Sequence, residues 1–271
     1  MICPNCSHEN EGGKFCENCG TELQPSTSPV AASYETTNGG ANASSQYIEG
    51  AKRVSSSYIN HFVQVIKSPY TTAQAVRGEQ FINAIITLVL FAVFIPFMMY
   101  FGLKALNTSI SGSLDSLNSL LGSNAFSAEV SFSKVALLPI IYYAIFILLI
   151  ATFTFIAVKL AKVEASYKDV FARFGAFAIP FVVILFLALL LSLIKLKIFL
   201  TVFTIGFLGC FIIVPAFTIA SFKKNSNNDG VDIVYGSLIT FVLAFITIAI
   251  MKNMLFGPII DYVVDLINPF S

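Results

Sequence analysis

The chain has 271 residues, 56% of them hydrophobic and only 11% charged, with 27 Phe and no Trp. That is too apolar for a water-soluble domain and indicates a polytopic membrane protein. The net charge of +1 says nothing by itself about nucleic acid or acidic partners, so the useful signal is where the charges fall.

The first element is CPNCSHENEGGKFCENCG, residues 3–20. Cys3-x2-Cys6 and Cys16-x2-Cys19 supply two thiolate pairs, each on a tight turn, with nine residues between the pairs. Four thiolates at about 2.3 Å make a closed tetrahedral shell, the pattern of structural rather than catalytic zinc. The separation is shorter than the common spacing of roughly 15–20 residues, but Gly12-Gly13 suits a hairpin turn. A miniature zinc ribbon, a β-knuckle over residues 1–23, is predicted, with structural zinc as cofactor and Cys3, Cys6, Cys16 and Cys19 as ligands. So short a segment cannot bury enough surface to fold alone, whereas structural zinc contributes on the order of 10–16 kcal/mol in small peptide sites. Two disulfides are the competing reading, opposed by the expected cytosolic placement. His8 reads as an exposed loop residue, since four cysteines already complete the shell.

Zinc ribbons often bind nucleic acid, but residues 1–23 set Lys14 alone against Glu9, Glu11, Glu17 and Glu22. Zinc with four thiolates adds further negative charge, and such a surface repels phosphate. No nucleic-acid partner is expected; a protein partner is. The string CPNCSHENEGGKFCENCGTEL also resembles the small zinc-ribbon modules at the front of many bacterial membrane proteins, in which a second FCxxCGxxL knuckle closes the fold. It departs from them in Ser7, where a glycine is usual.

Residues 24–50, rich in Ser, Thr, Ala, Asn, Gly and Pro without apolar periodicity, read as a disordered tether. Its r.m.s. reach is about 30 Å. Residues 51–79 read as juxtamembrane amphipathic helices on the cytosolic side. Ile59, Phe62, Val63 and Ile66 fall at i, i+3, i+4 and i+7, with Lys52, Arg53 and Lys67 nearby, as in a helix lying among lipid headgroups. Ser68 can cap a second short helix with Pro69 at its first position. His61 falls in the headgroup-facing helix.

Residues 80–271 form the predicted membrane domain, an all-α integral membrane bundle of five spans, at about 81–103, 135–158, 176–194, 198–220 and 234–251. No span carries an acid or base in its interior. No signal peptide is visible in the first 80 residues. An inside N-terminus places Lys14, Lys52, Arg53, Lys67, Arg77, Lys159, Lys162, Lys168, Arg173, Lys223 and Lys224 in the cytosol, against Lys104, Lys134, Lys195, Lys197 and Lys252 outside. The positive-inside rule therefore predicts a multi-pass cell-membrane protein with a cytoplasmic N-terminus and an extracytoplasmic C-terminus. Leu106, Ile110, Leu114, Leu117 and Leu121 mark an amphipathic stretch expected to rest on the outer leaflet or cap the bundle. Pro96, Pro139, Pro180 and Pro215 give the first four spans one proline each. Gly206, Gly209 and Cys210 make a small-residue face on span four.

Two segments, VIKSPYTTAQAV and YKDVFARFGAFAIPFVV, make the membrane part resemble the Yip (Ypt/Rab-interacting protein) domain family over roughly residues 55–255. The matching positions are Ser68, Pro69, Tyr167, Asp169 and Pro180. The resemblance implies five spans, a cytosolic N-terminus and adaptor work, with Tyr167 and Asp169 docking the cytosolic helix. The small-GTPase partners of the eukaryotic relatives are not carried over.

The spans offer no nucleophile, acid, base or open metal site, so no enzyme is expected. The leading expectation is a membrane scaffold or adaptor whose cytosolic zinc ribbon recruits or senses a cytosolic or membrane protein. The alternative is a transporter or lipid-translocating protein regulated by the ribbon. Membrane lipids are partners in either case, and a homo-oligomer is compatible with the sequence.

Overall fold

The structure, a computed structural model, describes residue 9 and residues 41–121, 130–224 and 230–267. The chain divides into two units, Met1–Glu49 and Gly50–Ser271. Cys3, Cys6, Cys16 and Cys19, and with them the expected ribbon, lie outside the described residues.

From residue 41 onward the described elements are all helical. In chain order they are α1 (Ala41–Lys67), α2 (Pro69–Ala75), a 3-10 turn (Gly78–Gln80), α3 (Phe81–Leu121), a π turn (Ser133–Leu137), α4 (Leu138–Leu160), α5 (Tyr167–Leu193), α6 (Phe199–Lys223) and α7 (Ile233–Ile267). Five stretches are long and apolar enough to cross a membrane: Gly78–Thr108, Ser133–Leu160, Tyr167–Leu193, Phe199–Lys223 and Ile233–Val264. They fit a multi-pass membrane protein, and each contains one of the expected spans or overlaps it over most of its length. We call the end of the bundle where α3 begins proximal and the opposite end distal.

Helix α5 is the hub, packed along α3 on one side and α6 on the other, while α7 leans on α4 and α6. Gly175 makes the α3 contact close, because a Cβ there would overlap the side chain and backbone of Ala84. The small-residue face of α6 meets α5: Gly209 lies under the Phe181 ring, Gly206 against Leu185, and Cys210 is fully buried. Phenylalanines fill the middle. The ring of Phe207 is ringed by Phe91, Tyr143, Phe146, Phe203 and Phe211, all with centroids 5.1–6.4 Å away. Contacts of this kind supply the packing that drives helix association where lipid removes the hydrophobic incentive.

Two corners close by Schellman geometry with a lysine in the left-handed region. At the proximal end of α4, Lys162 (φ 55°) donates to the Lys159 carbonyl at 2.9 Å and Val163 donates to that of Val158. At the distal α5–α6 hairpin, Lys195 (φ 59°) donates to Ser192 and Leu196 to Leu191. Glycine is the usual residue at such positions; here a lysine takes it at both.

Four elements run further than the sequence suggests, α7 among them, since it continues past the expected end of the fifth span near residue 251 to Ile267. Helix α1 begins at Ala41, inside the segment read as a tether. Helix α5 begins at Tyr167, nine residues before the expected start of the third span, as one continuous rod. Helix α3 continues without a break to Leu121, through the stretch expected to lie separately on the outer leaflet. At the distal end a collar of Leu103, Val135 and Tyr262 joins α3, the π turn and α7. Pro139, which lacks an N–H for the carbonyl four residues back, follows directly on that π turn at the start of α4, rather than kinking the middle of a span.

The face of α1 turned to the bundle carries Tyr58, His61 and Val65, the last fully buried, while Ile59, Val63 and Ile66 point outward. His61 is only 7% exposed, so it faces protein and not headgroups. Phe62, the remaining member of the expected apolar stripe, packs against the core, and the rings of Tyr58 and His61 turn inward beside it. The Tyr58 hydroxyl lies 3.3 Å from Thr87 Oγ1 on α3.

Candidate functional site

The described polar groups converge at the proximal end, where the segment from α2 to the 3-10 turn crosses α5 and α6. Helix α5 starts there because Ser166-x-x-Asp169 forms a capping box. The Asp169 N–H donates to Ser166 Oγ at 3.1 Å, and the Ser166 N–H donates to Asp169 Oδ2 at 3.2 Å. The Ser166 hydroxyl also donates to Oδ2. A carboxylate in the first helical turn also meets the positive end of the helix dipole. This box leaves Oδ1 oriented outward, and there it accepts the Gly78 N–H at 2.8 Å. Gly78 packs closely on Lys168 and Asp169: a Cβ there would lie 3.1 Å from Asp169 Oδ1 and 3.2 Å from Lys168 Cβ, so a neighbour would have to give by a few tenths of an ångström.

One turn further along α5, Arg173 ties three elements together. Its Nε and Nη2 both donate to the Val76 carbonyl at 3.4 Å, and Nη1 donates to Ser221 Oγ on α6 at 3.2 Å. Ser221 passes its own proton to the Thr218 carbonyl at 2.7 Å. The guanidinium carbon sits 3.7 Å from the centroid of the Phe222 ring, a cation–π contact. Beneath this layer Ala73 and Val76 are buried, and the Tyr70 ring lies 5.8 Å from Phe177 and 6.1 Å from Phe217. Lys223 fastens the following loop by donating to the carbonyls of Val231 and Gly230 at 2.7 and 3.2 Å. Chemically this is a joint: it holds the segment leading into the first span against the two central helices.

A second feature lies on the outside of the bundle. Between α3 and α4, above α5, runs a groove of about 280 Å3. Ile85, Val89 and Leu148 stand exposed at its mouth, and Leu88, Ile147 and Phe171 are buried at its floor.

Among the described residues no three His, Cys, Asp or Glu side chains come together to hold a metal ion. Asp169 does dock the incoming segment. Tyr167 instead faces α4, with its hydroxyl 3.2 Å from Thr152 Oγ1 and its ring 5.3 Å from that of Phe155. Arg173, Ser221, Phe222, Val76 and Gly78 were not singled out for the joint from the sequence. The one available signal was the Ser-x-x-Asp capping pattern just before an apolar run.

The family described as Domain of unknown function (DUF6574) matches residues 49–265. The chain is also 33% identical over 247 residues to the uncharacterized protein YvbI of Bacillus subtilis (strain 168), covering 91% of this chain and 92% of that protein. No solved structure matches it. These matches overturn the Yip resemblance: Ser68, Pro69, Tyr167, Asp169 and Pro180 sit in a different family, and loose proline and Tyr-x-Asp spacings at helix starts arise from capping chemistry alone. By the extent of both matches, the chain belongs to the DUF6574 family.

Proposed function

We propose that this protein is a non-enzymatic membrane scaffold whose N-terminal zinc ribbon, on the cytosolic side of the cell membrane, recruits or senses a protein partner. The joint at Asp169 and Arg173 carries the reading. It clamps the stretch between the N-terminal segment and the first span onto α5 and α6, so a load or a change arriving through that stretch is delivered to the centre of the bundle. Lys159, Lys168, Arg173 and Lys223 cluster at the proximal end, which supports a cytosolic proximal face by the positive-inside rule. Cys3, Cys6, Cys16 and Cys19 offer four thiolates in two Cys-x2-Cys pairs, a donor set suited to one structural zinc. The surface of that module is acidic, which favours a protein over a nucleic acid.

The test is affinity capture from membranes with the natural chain and with a variant carrying serine at all four cysteines. Elemental analysis should find about one zinc per natural chain and none in the variant. A protein partner should be captured by the first and lost from the second. Recovery of the same proteins with both chains would sink the recruitment reading.

A further inference from the structure

The groove between α3 and α4 is apolar along its length, and polar groups follow beyond its proximal end. Its walls and floor over Phe81 to Val89 are apolar, a length of about 12 Å along the helix axis. That approaches half of a hydrocarbon core of about 30 Å. Tyr167 closes the proximal end of the lining, and its hydroxyl lies 3.2 Å from Thr152 Oγ1, just outside the groove. The Phe155 ring stands edge-on to Tyr167, and the Lys159 ammonium lies 5.6 Å from the centroid of that ring. From depth to surface the order is apolar slot, hydroxyl pair, aromatic ring, exposed cation. A glycerophospholipid presents the same order: acyl chain, ester oxygens, glycerol, anionic phosphate.

We propose that this groove seats one acyl chain of an anionic glycerophospholipid from the bilayer leaflet at the proximal end, with the lipid phosphate against Lys159. The slot opens sideways between the exposed side chains of Ile85, Val89 and Leu148, so a lipid enters from the membrane and needs no aqueous route. Buried Leu88 and Phe171 place the chain deeper than a lipid that merely coats the surface. The site is independent of the recruitment reading and makes no use of the N-terminal cysteines.

The experiment uses the full chain in phosphatidylcholine vesicles with a trace of nitroxide-labelled phosphatidylglycerol or nitroxide-labelled phosphatidylcholine. The motionally restricted fraction of each label is read by electron paramagnetic resonance. The natural chain should prefer the anionic label about fivefold, the size of one juxtamembrane lysine acting on an anionic headgroup. Lys159→Gln, an exposed change that leaves the core intact, should bring the preference close to one. Ala144→Phe, which fills the slot, should lower restriction of both labels. Lys252→Gln at the distal end should leave the preference as it was. A natural chain that restricts both labels equally overturns the proposal, as does a preference that survives Lys159→Gln or falls equally with Lys252→Gln.

Discussion

Replacing Arg173 with methionine keeps an unbranched stem in place and removes the guanidinium fork. Val76 loses the donor on its carbonyl, Ser221 loses one donor but keeps its bond to Thr218, and Phe222 loses the cation above its ring. A hydrogen bond to a charged group is worth about 1.5–3 kcal/mol. At 3.2–3.4 Å these are long, so the lower figure applies to the set. The cation–π contact adds about 0.5–1 kcal/mol, and part of the total is returned because methionine need not be stripped of water. The net loss is about 2 kcal/mol of docking free energy, or an undocked population raised about 30-fold at RT of about 0.59 kcal/mol. Amide hydrogen exchange of residues 69–80 in a lipid nanodisc reads that population directly. Exchange there should accelerate by roughly that factor while α3 and α6 stay protected. An unchanged rate over residues 69–80, or acceleration spread evenly over the bundle, would refute the idea that Arg173 holds this segment in particular.

Asp169→Asn weakens both the capping box and the Gly78 bond, and should cost about 1–2 kcal/mol, seen as a lowered melting temperature in detergent. Gly175→Val drives a side chain into Ala84 and should destabilise by about 1–3 kcal/mol or more, whereas Gly257→Ala, where a Cβ meets nothing within 4 Å, should stay near zero in the same melt. Tyr262, whose buried hydroxyl has no hydrogen-bond partner among the described residues, should tolerate Tyr262→Phe with unchanged or slightly higher thermal stability. Burial lowers the pKa of His61 below the ordinary imidazole value, so undocked α1 takes up a proton more readily than docked α1. Docking is then complete above about pH 6.5 and weakens as pH falls through that value towards the lower docked-state pKa. Because the natural chain has no Trp, Phe62→Trp provides a single fluorophore on α1. Its emission should shift to the red on acidification and lose that response in the His61→Leu background.

The spans were legible because length and apolarity are local properties, and nothing in water or lipid competes with a helix once 20 apolar residues must cross hydrocarbon. The start of α5 was misplaced for the converse reason. Lys168, Asp169 and Arg173 look like an interfacial break when read by hydropathy, yet Asp169 is consumed in a cap and Arg173 in the joint, so the helix passes straight through them. The joint itself could not be read from spacing, since Gly78 and Asp169 are 91 positions apart and Val76 and Arg173 are 97. The stripe Ile59, Phe62, Val63 and Ile66 was visible as a helix face, but its periodicity cannot say whether lipid or protein lies against it, and the structure splits it, packing Phe62 on the core. The structure turns Ile59, Val63 and Ile66 outward and His61 in.

Helix α3 has 41 residues, about 60 Å of rise, roughly twice what a hydrocarbon core requires. Its apolar, membrane-length stretch ends at Thr108, and the helix runs about 20 Å further, past the Leu103, Val135 and Tyr262 collar. Held along the bundle axis, that extension meets an approaching surface, whether a wall polymer or a second bilayer, before the rest of the distal face does.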